Sequence, residues 1–228
     1  PRTPPPAISA TRLAKMIDHA LLHPALTATE LGQGCALAAG CQVASVCVRP
    51  CDVATARRLL AGTGVLVGTV VGFPHGGVGT RAKVGEGRAA MADGAEEIDM
   101  VLNIGWLRSG DLAGVAEDIR AVVAAAGGVP VKVILENAYL TDAEKVAGCT
   151  AARDAGAAFV KTSTGFAPGG ATVADVRLMR ATVGPDVGVK ASGGVRTPGF
   201  VAELLAAGAT RIGTSATESI LDGWPPHP

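Results

Sequence analysis

Aromatic residues are scarce: two Trp, one Tyr and four Phe make up 3% of the 228 residues. Large rings therefore cannot build the interior, and with 31 Gly and 48% hydrophobic residues the core has to be filled by small aliphatic side chains. Neither sign of charge is in excess, because 20 Lys+Arg meet 20 Asp+Glu and the pI is near 7.3. No Lys/Arg run exceeds Arg57-Arg58, so the basic stripe that nucleic-acid binding requires is missing. Long hydrophobic runs are absent as well. The longest, 65–73, is broken by glycine and spans less than half of the ~20 residues of a bilayer helix, which argues against a membrane partner. The five cysteines form an odd set without CxxC spacing, which fits a reducing, cytoplasmic setting rather than a disulfide framework. His19 and His23 lack carboxylate or cysteine partners at ligand spacing, so no metal site is expected, and no cofactor motif is present. Residues 1–6 lack the basic-then-apolar layout of a signal peptide. The proline-rich ends, 1–7 and 224–228, are expected to be flexible around one domain.

What is present is a repeated beat of a short β-branched run, a Gly or polar loop and an alanine-rich helical stretch. After a first amphipathic helix at 9–16, strands are predicted at 17–21, 43–48, 65–73, 97–103, 129–136, 159–163, 187–192 and 210–214. Eight strands separated by helices predict a (β/α)8 TIM barrel with an extra N-terminal helix, whose parallel strands are covered by helices and so read as Val/Ile runs. A doubly wound open sheet is the competitor. Its G-x-G-x-x-G fingerprint after the first strand is missing, and the glycine motifs cluster after the last two strands instead.

Charges inside barrel strands are informative, since side chains alternate between interior and helix layer and active sites sit at the C-terminal strand ends. Asp99 shares a face with Glu97 and Val101 in the fourth strand, and Lys132 shares one with Ile134 and Glu136 in the fifth. Lys161 ends the sixth apolar run and Lys190 holds the same place in the seventh. Any one of these could be a rim ion pair. Neighbouring strands lie about 4.8 Å apart, however, so inward-pointing Lys161 and Lys190 would crowd two ammonium groups in a partly desolvated space. Bringing a lysine from its ordinary ~10.4 to neutrality at pH 7 takes about 4.6 kcal/mol of differential destabilisation. A scaffold has little use for that, whereas a nucleophile does, because only the free amine attacks a carbonyl to form a Schiff base. Asp99 would limit the repulsion and could move protons through a water. Asp18, in the first strand, is open between a substrate hydroxyl contact and a structural hydrogen bond.

Barrels that take phosphorylated substrates hold the phosphate with the loops after strands seven and eight and a short helix N-terminus. Ser192-Gly193-Gly194-Val195-Arg196-Thr197 and Ile212-Gly213-Thr214-Ser215-Ala216 stand at those places, and Gly165 follows Lys161. Glycines let backbone N–H groups approach an anion, and Ser215 adds a hydroxyl. Read blandly, Gly193 and Gly194 are turn residues and Ser215 is a helix cap. His75 reads as part of a loop after the third strand, and Cys47 as a small buried hydrophobe facing the barrel.

Ile17-Asp18-His19, Val46-Cys47-Val48, the run from Val70 to Gly76, Glu97-Ile98-Asp99-Met100-Val101, Lys132-Val133-Ile134-Leu135-Glu136, the run from Phe159 to Phe166, Val189-Lys190-Ala191-Ser192-Gly193-Gly194-Val195-Arg196-Thr197 and Arg211-Ile212-Gly213-Thr214-Ser215 together resemble the deoxyribose-phosphate aldolases. The likeness covers nearly the whole chain. It implies a class I aldolase that reversibly cleaves 2-deoxy-D-ribose 5-phosphate to D-glyceraldehyde 3-phosphate and acetaldehyde, with no cofactor. The resemblance, and not the residue pattern, selects Lys161 as the Schiff-base lysine. It assigns Lys190 to lowering the Lys161 pKa and assisting proton transfer, and Asp99 to donating and accepting protons. Substrate and phosphate contacts are expected from Asp18, Lys132, Gly165, Gly193, Gly194, Gly213 and Ser215. The chain departs from the family at Ala20 and Asn137, where threonine is usual, and at Ala216, where some members have serine. It also ends without the tyrosine of some members. Barrels of this size often pair through exposed helices, so a homodimer is expected.

Overall fold

The computed structural model describes residues 8–225. Eight parallel strands close on themselves: β1 (Ile17–Leu21), β2 (Ser45–Val48), β3 (Leu66–Val71), β4 (Glu97–Val101), β5 (Val131–Ile134), β6 (Phe159–Lys161), β7 (Gly188–Ser192) and β8 (Arg211–Thr214). Each pairs with the next, and β1 pairs with β8, so no edge strand is left. Every strand predicted from the sequence is present, but most are shorter. Around β5 the regular strand is Val131–Ile134, although Pro130 and Leu135 still bond to Ile98 and Lys161 of the neighbouring strands, and the chain turns away at Glu136 with φ 60°.

The strand alternation separates two kinds of interior. Ile98 and Met100 of β4, Val131 and Val133 of β5, Val160 of β6 and Val189 of β7 face outward into the apolar layer under the helices. Each such Val or Ile contributes about 1.5–3 kcal/mol on full burial. The opposite parity fills the barrel lumen, where Asp18, Glu97, Asp99, Lys132, Lys161 and Lys190 are buried among Cys47, Val70, Val101 and Ile134. Their register is fixed by the ladders: Asp99 is the Cα partner of Lys132, and Lys161 that of Lys190.

The covering helices start where the sequence supplies caps. Thr27 and Glu30 form a capping box at α2 (Ala28–Gly40), and Thr141 and Glu144 form another at α7 (Asp142–Asp154). The remaining helices are α1 (Ala10–Ala14), α3 (Val53–Leu59), α4 (Thr80–Ala92), α5 (Ile104–Arg108), α6 (Leu112–Ala125), α8 (Val173–Val183), α9 (Pro198–Ala206) and α10 (Thr217–Asp222). The predicted first helix is thus α1, capped by Ser9 and shorter than expected.

One end departs from expectation. Trp224 is not part of a loose tail: its ring is buried and its Nε1–H donates to the Ile8 carbonyl at 2.9 Å. A large indole buried with its polar edge bonded ties Trp224 to the start of the chain. Residues 1–7 and 226–228 lie outside the described residues.

Candidate active site

A cavity of about 530 Å³ opens at the C-terminal ends of the strands. Its floor carries the amines of Lys161 and Lys190, with Cys47 and Asp18 on the wall. Asp99 sits beneath both lysines. Its Oδ2 accepts from Lys161 Nζ at 2.8 Å and from Lys190 Nζ at 2.7 Å. The pair predicted from strand parity therefore meets on one carboxylate oxygen.

The three barrel lysines are not equivalent. Lys132 Nζ is surrounded by Glu97 at 2.6 Å, Asp18 at 3.0 Å and Asp99 at 3.1 Å. Burial opposes its charge, but these three carboxylates hold its pKa well above the ordinary range. Lys190 is also opposed by burial and raised, by Asp18 at 2.5 Å and by Asp99. Lys161 has Asp99 alone. Burial pushes its pKa down, Asp99 offsets this only in part, and the Lys190 cation pushes it down further. The amine whose neutral form is favoured is thus the one that residue pattern could not single out.

Asp99 and Asp18 are both raised by burial, but the surrounding cations reverse this and hold them below the usual carboxylate range. Asp18 accepts from Ser45 Oγ at 2.7 Å and from Arg211 at 2.7 Å, as well as from Lys132. Its structural bonds are therefore complete, although it also borders the cavity. Lys132 is a correction: it does not line the cavity, because its three carboxylate partners hold its amine below the floor. Cys47 borders the cavity, and its thiol is pushed up to about 11, first by burial and then by Asp99. A thiol so disposed stays protonated at neutral pH.

The glycine loops converge at the other end of the same cavity. Gly165, Gly193, Gly194, Gly213 and Ser215 all line it, together with Ser192 and Arg196. Gly165, Gly193 and Gly194 have φ of 90°, 88° and 74°, a region that disfavours any side chain. A Cβ on Gly193 would stand 2.9 Å from the Gly170 Cα. Ser215 is exposed at the mouth and is not a cap, since Ala216 holds the N-cap position of α10. His75 lies on an exposed loop outside the cavity wall.

Three charged residues escaped the sequence reading. Arg211 spans from Asp18 to Glu97, reaching Glu97 at 3.0 Å. It stands at the start of β8 with no long apolar run around it, though its parity with Gly213 marks it as inward-facing. Glu136 has φ 60° and turns its carboxylate onto the Thr164 N–H and hydroxyl. Lys83, on α4, is fully buried, bonded to the Val101 carbonyl at 2.9 Å and to Asp118 at 2.5 Å. Nothing in a helical Ala/Gly/Glu context announces such a lysine. Of the departures from the family pattern, Ala20 borders the cavity, and Asn137 is buried with its Nδ2 on the Met179 sulfur.

Fold and floor together put the chain among the barrel aldolases that work through a lysine amine. The DeoC/LacD family aldolase profile matches residues 12–216. A deoxyribose-phosphate aldolase of Macrococcus caseolyticus is 56% identical over 211 residues, covering 92% of this chain and 96% of the relative. One from Streptococcus pneumoniae serotype 19F is 54% identical over 212 residues, covering 93% and 96%. The tetrameric deoxyribose phosphate aldolase structure from Aeropyrum pernix superposes with a TM-score of 0.88 at 31% identity, covering 94% of this chain and 91% of that one. The chain belongs to the DeoC/LacD aldolase family. Among the described residues no helix is long and apolar enough to cross a membrane.

Proposed function

We propose that Lys161 is the Schiff-base lysine of this chain, that Lys190 suppresses its protonation, and that Asp99 relays protons between them. The reaction is that of a deoxyribose-phosphate aldolase, a class I carbon–carbon lyase: reversible cleavage of 2-deoxy-D-ribose 5-phosphate to D-glyceraldehyde 3-phosphate and acetaldehyde. The neutral Lys161 amine adds to the C1 aldehyde of the open-chain sugar, and the carbinolamine loses water to give an iminium. The iminium accepts the electron pair of the C2–C3 bond as the C3 hydroxyl gives up its proton, releasing glyceraldehyde 3-phosphate. The remaining enamine is protonated at C2 and hydrolysed to acetaldehyde. The electron sink forms on the protein itself, so the steps require no cofactor.

The observation that carries this reading is the single Asp99 oxygen within 2.8 Å of both amines, with Lys161 the barrel lysine whose charge is least supported. Glycine loops with backbone N–H groups free to approach an anion support phosphate binding by Gly165, Gly193, Gly194, Gly213 and Ser215 at the far end. Asp18, tied to two lysines and Arg211, serves the floor rather than the sugar. The balanced charge and five free cysteines support action in a reducing cytoplasm. Self-association is expected as a homodimer, which sedimentation would check. Lys161→Leu is expected to abolish release of acetaldehyde from 2-deoxyribose 5-phosphate while the far-UV dichroism stays that of the parent. Turnover within tenfold of the parent would reject the assignment.

A further inference from the structure

The charged side chains of the lumen form one continuous chain of ion pairs. It runs Lys161–Asp99–Lys190–Asp18–Arg211–Glu97–Lys132, and Lys132 closes it back onto Asp99 and Asp18. Every member is buried except Arg211, whose side chain is 14% exposed. The chain holds four cations, Lys132, Lys161, Lys190 and Arg211, against three carboxylates, Asp18, Glu97 and Asp99. It balances when one cation gives up its proton. An uncompensated charge in a desolvated cluster is expensive, so the excess is relieved at the member with fewest carboxylate neighbours. That member is Lys161, which touches Asp99 alone. Arg211 cannot be the one, since a guanidinium does not deprotonate in a protein.

We propose that Arg211 and Glu97, at the end of the chain remote from the cavity, are positioning residues that set the protonation of Lys161 through the charge balance of the lumen, in opposite directions. This rests on Lys161 being the reactive amine. Neither residue lines the cavity, so neither acts on substrate directly. Arg211 supplies the cation that makes the count odd. Its guanidinium is fixed by two carboxylates and stacks 5.4 Å over the Phe159 ring, so its charge is held in place. Glu97 limits the excess by bridging Arg211 and Lys132.

The other groups facing Lys161 are few. From β2 comes only the Cys47 thiol, and β3 presents Gly68 and Val70. Glu136, beyond β5, is the one further carboxylate nearby. It is turned onto Thr164, makes no ion pair, and is the same in all the variants below. His23 and Arg196 stand exposed at the mouth, where solvent screens them.

Signs follow from the count. Arg211→Met leaves three cations on three carboxylates, so Lys161 keeps its proton to higher pH. Glu97→Gln leaves four on two, so Lys161 loses it at lower pH. The double variant has three on two, restoring an excess of one. Arg211→Lys retains the count.

The test is the rate at which cyanoborohydride traps acetaldehyde on the full chain as a function of pH, with the modified peptide identified by mass. The rate rises with pH as the attacking amine loses its proton. Relative to the parent, the rising limb is expected to move up by roughly one pH unit in Arg211→Met and down by a similar amount in Glu97→Gln, the scale of a unit charge felt at an effective dielectric near 20. The double variant is expected to return towards the parent, and Arg211→Lys to overlay it. Singles that move the same way, or a double that is no closer to the parent than either single, would overturn the proposal, because loss of packing does not reverse sign. Should Arg211→Met not fold, Glu97→Gln and the double variant decide alone, by a downward shift that the second substitution cancels. An adduct on a residue other than Lys161 in the parent would reject the nucleophile assignment instead, which keeps the two failures apart.

Discussion

At the scale of single residues, burial opposes charge in two settings in this barrel. Lys161 is destabilised as a cation by desolvation and a neighbouring ammonium, whereas His19 is simply buried. Its Nδ1 lies 2.9 Å from the Thr217 hydroxyl, and burial lowers its pKa from 6.5 to about 4. A folded pKa below the unfolded one means that the unfolded chain binds more protons between those values. The contribution of His19 is therefore complete above pH 6.5 and is lost as pH falls towards 4, about 2 kcal/mol between pH 7 and 5. Urea unfolding at the two pH values should show that loss in the parent and less of it in His19→Gln; equal losses would contradict the account. Lys83 carries a different cost. Lys83→Met leaves Asp118 buried and without its cation, and is expected to lower the unfolding free energy by about 3–5 kcal/mol, while Lys83→Met/Asp118→Leu recovers most of it. The sequence exposed the strand lysines because a charge breaks a β-branched run. It concealed Lys83, since a lysine at a helix position reads as solvated until Asp118 of a different helix is known to face it.

Among the elements, the loops after β6 and β7 are built for close backbone approach. Gly193 is pressed against Gly170 and Ser163, while Gly194 has open space around a φ of 74°. Gly193→Ala is therefore expected to raise KM for 2-deoxyribose 5-phosphate at least tenfold and to change turnover of unphosphorylated 2-deoxyribose little. Gly194→Ala should cost about 1 kcal/mol of backbone strain and affect binding less. Steady-state kinetics on the two sugars would show this, and an equal loss on both would argue against a phosphate role for the loop. Glycine clustering made these loops visible in the sequence, because no other residue supplies both positive φ and missing bulk. The strand limits were less legible: Val129, Pro130 and Leu135 extend β5 in composition, yet the pairing ends where Glu136 turns left-handed.

For the whole molecule, eight recurring strands and the lack of a dinucleotide fingerprint favoured the closed barrel over a doubly wound sheet, and the closed ladder from β1 to β8 decides between them. Which lysine is the reactive one depends on distances between strands far apart in sequence, such as Asp99 and Lys190, and composition carries no trace of those. Lys132 illustrates the limit, since its parity placed it in the lumen but only the register with Asp99 puts it under the floor. Trp224, returned to Ile8 at the opposite end of the chain, is another contact that no local pattern encodes. The proposed chemistry depends on the Lys161 amine above one carboxylate oxygen that it shares with Lys190. Reductive trapping of acetaldehyde on the intact protein at neutral pH, followed by peptide mass mapping, tests this most directly. A single reduced two-carbon adduct on Lys161, absent from Lys190 and from Lys132, is the predicted result; an adduct on either of those lysines, or none at all, would contradict it.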